Sequence, residues 1–392
     1  MIQSLGSYHI KTKIVFARGS ISALGELVRE IGAKRFLLVA DPALESVGIT
    51  DIARKHLEAA GCEGQVVQKV EPEPYLDNAD EAAEVGRSIG AEIVIGMGGG
   101  SAMDTAKATA TLITNEGNAE DYVGLNKVPN PAVKMLMVPT TAGTGAEVTF
   151  TAVFTNRRTK AKGGINSPHL YPDLALLDPE LTVSLPPEIT AATGMDALTH
   201  AIESVTSHSA TVFTEALAYR AIRLIADNLR RAVFHGQDID ARENMLLGSV
   251  LGGMALADAG VGAAHALAYP LGGNYRIPHG LANAILIPHV MAFNLPACEC
   301  RMARIAQEFG ESVEGLSHRR AGALAVEAVR NLCLDIGIPS KLSEVGVPKS
   351  DIPMLVEGAL KVTRPVENNP RFLGPDEAQK VYETAFSSTT EV

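Results

Sequence analysis

Ala91-Glu-Ile-Val-Ile-Gly-Met-Gly-Gly-Gly-Ser-Ala-Met-Asp-Thr-Ala-Lys107 runs from an apolar β-branched stretch through three successive glycines into a helical pattern. Strand, tight turn and helix in that order make one half of a βαβ unit. Without Cβ atoms, Gly98, Gly99 and Gly100 let phosphate oxygens come close to the backbone. Ser101 reads as the N-cap of the helix that follows, whose first N–H groups and positive dipole end favour an anion. The turn departs from Gly-x-Gly-x-x-Gly because Ser101 stands at the last position. A purely structural turn is the alternative; the strand before and the helix after favour the nucleotide.

Outward from this turn, the first half alternates short apolar runs with amphipathic stretches. The runs are Lys13–Phe16, Arg35–Ala40, Gln65–Val70, Ala91–Ile95 and Val133–Val138. Helical spacing fills Ile21–Ile31, Asp51–Ala60 and Ala79–Ile89. The alternation predicts an α/β domain with a doubly wound, mostly parallel sheet. Beyond Leu185-Pro186-Pro187 the β-branched runs nearly vanish. Thr211–Val233, Ala241–Ala259, Arg319–Ile336 and Pro375–Phe386 then read as long helices. The expectation is a dinucleotide-binding domain over 1–185 and an all-helical, metal-binding domain over 186–392.

A second polar turn follows another apolar run, in Val138-Pro-Thr-Thr-Ala-Gly-Thr-Gly-Ala-Glu-Val-Thr149. Its hydroxyls and glycines suit phosphate, ribose or amide contacts. Asp41 closes the run Arg35–Ala40, where a carboxylate either accepts from an adenosine ribose or caps the next helix. In the helical half, Asp196 and His200 are four residues apart and so share a helix face. His265 follows the small-residue stretch Ala259-Gly-Val-Gly-Ala-Ala264, and His279 lies between Pro278 and Gly280. The chain has ten histidines, most of them expected to be bystanders. One carboxylate and three imidazoles suit Fe²⁺ or Zn²⁺ better than Ca²⁺ or Mg²⁺.

These segments together resemble the iron-containing (group III) alcohol dehydrogenase family over nearly the whole length. The anchors are Gly98-Gly-Gly-Ser-Ala-Met-Asp104, Pro139-Thr-Thr-Ala-Gly-Thr-Gly-Ala-Glu147, Gly194-Met-Asp-Ala-Leu-Thr-His200, and His265-Ala-Leu-Ala-Tyr-Pro-Leu-Gly-Gly273 with Pro278-His-Gly280. The resemblance implies that Asp196, His200, His265 and His279 bind one divalent ion. It implies that Gly98, Gly99, Gly100, Ser101 and Asp104 form the pyrophosphate turn, with Thr140, Thr141 and Thr144 in the second cofactor loop. Thr149 and Lys162 resemble positions near the ribose and nicotinamide, and Asp41 the acid that favours NAD over NADP. Many relatives carry a histidine four residues after the third ligand; here that position is Tyr269, either a substitute proton relay or a shaper of the pocket.

The reaction so implied is hydride transfer between NAD(H) and a small alcohol or aldehyde, with the ion as Lewis acid. A non-redox, NAD-using metal lyase of the dehydroquinate synthase type is the alternative, and a nucleotide-sensing module without catalysis is a further one. The residues beside the ligands, Ala197, Leu198, Ala201, Ala266, Leu267 and Ala268, point to a small substrate rather than a phosphorylated sugar. A net charge of −11 with no long basic run speaks against nucleic acid or an anionic membrane as partner. Cys62, Cys298, Cys300 and Cys333 form no Cys-x-x-Cys pair and are expected to be reduced thiols. Met1–Gly6 shows no leader pattern and no apolar stretch is long enough to span a bilayer, so a cytoplasmic protein is expected, as a homo-oligomer.

Overall fold

The structure is a computed structural model and describes residues 8–157 and 162–387. Two compact units emerge: residues 10–185 form one, and residues 186–387 with Tyr8 and His9 form the other.

The first unit is built on six parallel strands: β1 (Lys13–Phe16), β2 (Arg35–Ala40), β3 (Glu63–Val67), β4 (Ile93–Gly98), β6 (Lys134–Pro139) and β9 (Leu174–Leu177). Their order across the sheet is β1-β9-β6-β4-β2-β3. Helices α1 (Leu24–Glu30), α2 (Ala43–Ser46), α3 (Ile49–Ala59), α4 (Leu76–Ile89) and α5 (Gly100–Thr114) connect them. Successive side chains of a strand point to opposite faces. Phe36, Leu38 and Ala40 of β2 accordingly pack with Leu24, Ala53 and Leu57 of α1 and α3. Leu37 and Val39 pack with Ala82 of α4 and with Ala102, Met103 and Ala106 of α5. With both faces covered, the strands read as continuous apolar runs, which is why they were legible. After β2 the chain turns outward to β3, then crosses to the other side of β2 for β4. The C-terminal ends of β2 and β4 thus flank a topological switch point, where such sheets bind ligands.

Three differences from the sequence reading have local causes. β3 covers Glu63–Val67 rather than Gln65–Val70; it is an edge strand whose first three residues are exposed, so its apolar signal is late. A small second sheet was not foreseen: β5 (Gly124–Leu125), β7 (Thr151–Thr155) and β8 (Lys162–Asn166), with β7 and β8 antiparallel and Thr155 opposite Lys162. Its Thr, Lys, Gly and Asn content hides the pattern. The helix after the glycine turn begins at Gly100 with Gly99 as N-cap, so Ser101 lies in the first turn and does not cap it.

The second unit is helical: α6 (Pro187–Thr206), α7 (Val212–Phe234), α8 (Ile239–Ala259), α9 (Ala263–Tyr275), α10 (His279–Asn294), α11 (Glu299–Glu308), α12 (His318–Asp335), α13 (Ile352–Leu360), α14 (Thr363–Asn368) and α15 (Pro375–Thr384). Pro186 and Pro187 open α6, where missing N–H groups cost nothing. Helices α8 and α9 meet at an angle of 103°. Gly260 and Gly262 occupy the break, with φ of +70° at Gly260. The stretch His279–Ala297 is long and apolar enough to cross a membrane by length and composition. Its residues Ala282–Met291 are all buried against neighbouring helices, which accounts for that apolarity.

Candidate metal centre and nucleotide turn

Helix α6 presents Asp196 and His200 on one face. The bend between α8 and α9 puts His265 in the first turn of α9, and Pro278 ends the preceding loop so that His279 opens α10. Gly280 makes this approach possible: a Cβ there would lie 2.4 Å from the Ala192 carbonyl oxygen and 3.2 Å from the Asp196 Cβ. The Nε2 atoms of His200, His265 and His279 lie 3.9, 4.0 and 3.9 Å from the Asp196 Oδ1. A tetrahedral ion with bonds of about 2.1 Å has ligand–ligand edges of about 3.4 Å, so the cluster is slightly wider than a closed cage. Asp196, His265 and His279 offer ligand atoms within 4.8 Å of one another. His200 is as near to Asp196 as the others, but it stands outside that mutual group. Its ring stacks on His265, centroids 4.9 Å apart.

Asp196 is buried, which alone would raise its pKa; the three imidazoles and the Asn283 amide outweigh burial and hold it at about 2. An acceptor-only carboxylate among three imidazoles is a donor set that fits a divalent ion. The Asn283 Nδ2 donates to Asp196 Oδ1 at 2.8 Å and lies 3.2 Å from His265 Nε2 and 3.3 Å from His279 Nε2. It therefore points at the same spot as the four donors, while its own buried Oδ1 has no hydrogen-bond partner. The sequence reading missed Asn283, four residues after His279, and also Glu203, whose Oε2 lies 2.6 Å from His265 Nδ1. Glu203 is seven residues after Asp196, so the same helical face carries the signal.

Tyr269 stacks on His279, ring centroids 5.8 Å apart and planes at 14°. Ala197, Leu198, Ala201, Ala266, Leu267 and Ala268 are at most 1% exposed. They are packed into the core of the helical unit, so the structure lends no direct support to the sequence argument on substrate size built on them.

In the first unit, Gly98 has φ of +144°, and a Cβ on it would meet Ala102 and Asp41 Cβ atoms at 2.9 Å. A Cβ on Gly100 would meet Thr144 Cγ2 at 2.6 Å, and one on Gly99 would lie 3.5 Å from Thr141. The Thr140 N–H donates to the Gly98 carbonyl at 2.9 Å. The fold thus gathers Asp41, Thr140, Thr141 and Thr144 around the three glycines, with Ser101 in the first turn of α5. The Asp41 Oδ1 accepts from the Ala43 N–H at 2.9 Å, at the start of α2, whose N-cap position is Pro42.

Asp104 and Thr149 lie in a buried polar cluster beneath α5. Lys107 is fully buried; its Nζ donates to Thr149 Oγ1 at 3.1 Å and to the Thr151 carbonyl at 2.9 Å. The Asp104 Oδ2 accepts from the Val153 N–H at 2.9 Å and so ties α5 to β7. Burial lowers Lys107 to about 8 and raises Asp104 to about 6 and Glu147 to about 7. Lys162, on β8, pairs with Glu73. All four cysteines are free thiols, and burial pushes Cys298 and Cys333 up to about 12.

Residues 11–179 match the family described as iron-containing alcohol dehydrogenase, and residues 190–386 match the C-terminal part of the same family. This chain belongs to the iron-containing alcohol dehydrogenase family. It is 42% identical over 373 residues to the 1,3-propanediol dehydrogenase of Citrobacter freundii, covering 95% of this chain and 96% of that protein. To the lactaldehyde reductase of Escherichia coli (strain K12) it is 39% identical, with 95% and 97% covered. Among solved structures, a 1,3-propanediol oxidoreductase aligns with a TM-score of 0.95 at 40% identity, covering 97% of this chain and all (100%) of that one. The sulfoacetaldehyde reductase from Bifidobacterium kashiwanohense, in complex with NAD⁺, aligns with a TM-score of 0.90 at 30% identity, covering 99% and 100%. This iron-containing alcohol dehydrogenase is thus a metal-dependent oxidoreductase that moves hydride between NAD(H) and an alcohol or aldehyde. Membership sets aside the lyase and the sensing module.

Proposed function

We propose that Asp196, His200, His265 and His279 together hold one divalent ion, Fe²⁺ with Zn²⁺ as the other candidate. The observation that carries this is the convergence of three imidazole Nε2 atoms, each 3.9–4.0 Å from one buried carboxylate oxygen. In the same reading, Gly98, Gly99, Gly100, Ser101 and Asp104 belong to the NAD(H) site with Asp41, Thr140, Thr141, Thr144, Thr149 and Lys162. Residues 1–185 then act as the dinucleotide-binding domain and 186–392 as the metal-binding domain.

Bound there, iron supplies Lewis acidity at the substrate oxygen, and NAD(H) takes or gives the hydride. The chain's own groups supply charge and orientation. Asp196 brings one negative charge into a buried site. The first turn of α5 offers free N–H groups to a pyrophosphate. Asp41 accepts from a ribose hydroxyl and repels a 2′-phosphate. The substrate is a small alcohol or aldehyde, a reading supported by relatives named for 1,3-propanediol, lactaldehyde and sulfoacetaldehyde. A cytoplasmic homo-oligomer without nucleic-acid or membrane partners completes the reading. The free cysteines and the acidic charge balance support it.

The experiment is a panel of small alcohols and aldehydes on protein of measured metal content, followed by NADH absorbance. Turnover should scale with bound Fe²⁺ and be greatest for short primary alcohols or diols. Equal turnover at zero metal would overturn the ligand assignment.

A further inference from the structure

We infer that Glu203 is a positioning residue for the metal centre: its carboxylate fixes His265 in the orientation and tautomer that a divalent ion requires. The inference rests on the reading of Asp196, His200, His265 and His279 as ligands.

Glu203 lies on α6, three residues after His200, and is only 3% exposed. Its Oε1 accepts from the Ala264 N–H at 2.6 Å, and its Oε2 faces His265 Nδ1 at 2.6 Å. A carboxylate can only accept, and with Oε2 in that role Nδ1 is the donor that carries the hydrogen. The other ring nitrogen agrees, because Asn283 Nδ2 lies 3.2 Å from His265 Nε2, which can only accept from it. Both ends of the ring therefore select the same tautomer, with the Nε2 lone pair directed toward Asp196 and His279. A carboxylate behind a ligating imidazole raises the basicity of the ligand nitrogen and locks the ring. The contact to Ala264 adds rigidity, because that N–H belongs to the first turn of α9, which lacks an intrahelical acceptor. One side chain of α6 thus sets both the start of α9 and the aim of the histidine it carries. Helix α6 contributes a ligand carboxylate, a ligand imidazole and the support for a third ligand at positions i, i+4 and i+7.

A residue that only capped α9 would change the stability of the metal-free protein but not its affinity for metal. Glu203→Gln separates the two, since the amide keeps the size but can accept from only one of the two N–H groups. The measurement is Co²⁺ binding to the metal-stripped full-length chain in competition with a chelator, with the visible absorption of bound Co²⁺ and the melting temperature of the stripped protein read alongside. Glu203→Gln should weaken Co²⁺ binding by about 10–100-fold and alter the Co²⁺ spectrum. Glu203→Asp, which keeps the charge on a shorter stem, should fall between Gln and wild type; it also serves if the Gln variant does not fold. Affinity within twofold of wild type in folded Glu203→Gln, or in Glu203→Asp where the Gln variant does not fold, with the spectrum unchanged, overturns the inference even if the melting temperature drops. His265→Ala is measured in parallel. If it weakens Co²⁺ binding while the Glu203 variants do not, only the role of Glu203 fails; if it too leaves affinity unchanged, the ligand assignment itself fails.

Discussion

Tyr269 lies beside His279, with its ring nearly parallel to the imidazole at a centroid distance of 5.8 Å. The face contact with His279 is one that a phenylalanine ring also makes. Tyr269→Phe should therefore retain near wild-type kcat for alcohol oxidation, whereas an essential proton relay would cost about 10²–10⁴-fold. The comparison is informative when a deuterated alcohol shows that hydride transfer limits the rate. Tyr269→Ala should instead shift the substrate preference, because it removes the ring beside His279. Asp41 makes a second residue-level test. Its Cβ would collide with one on Gly98, which puts it beside the glycine turn. The wild type should prefer NAD(H), and Asp41→Gly should narrow that preference by roughly tenfold, about 1.4 kcal/mol of relieved like-charge repulsion. Equal kcat/KM for NAD and NADP in the wild type would remove Asp41 from the ribose.

At the level of elements, the approach of α10 to α6 is the critical joint. Gly280→Ala would put a methyl group 2.4 Å from the Ala192 carbonyl oxygen, so α10 must move away from Asp196 and take His279 with it. Overpacking of this kind costs about 1–3 kcal/mol, and the variant should melt lower and retain less metal after dialysis than wild type. Full metal retention would show that the joint has slack. Elements with covered faces were the legible ones: β2, β4 and β6 announced themselves by apolar runs, and α7, α8 and α12 by helical spacing. The β7–β8 hairpin stayed hidden because Lys162, Gly163, Gly164 and Asn166 give no alternation of apolar and polar residues. Asp196 and His200 were legible because they share one helix. Glu203 lies on the same face and was within reach of the same argument. Asn283 was not, because its relevance depends on how α10 packs against α6 and α9.

For the molecule as a whole, the buried cluster of Lys107, Asp104 and Glu147 sets a pH dependence of stability. Burial raises Glu147 to about 7, above the roughly 4.3 of an unfolded glutamate. Its folded form then binds more protons than its unfolded form between these values, so its contribution to stability is present at low pH and is lost as pH rises through about 7. Glu147→Gln should be more stable than wild type at pH 8 by on the order of 1–3 kcal/mol and nearly equal to it at pH 4. Urea denaturation at the two pH values checks this; a constant difference would show that the carboxylate does not titrate on folding. Asp196 has the opposite sign. Held at about 2, it contributes stability above the unfolded value of about 3.9, and that contribution disappears as pH falls through about 2. The α/β character of the first half and the helical character of the second were legible in the sequence pattern, whereas the strand order came only from the fold. Packing supplied the distances. The most direct test of the account is turnover against metal content. Protein stripped of metal, verified by elemental analysis, should lose NADH formation from small alcohols and regain it on addition of Fe²⁺, whereas His279→Ala should not regain it. Near wild-type turnover in verified metal-free protein would contradict the account.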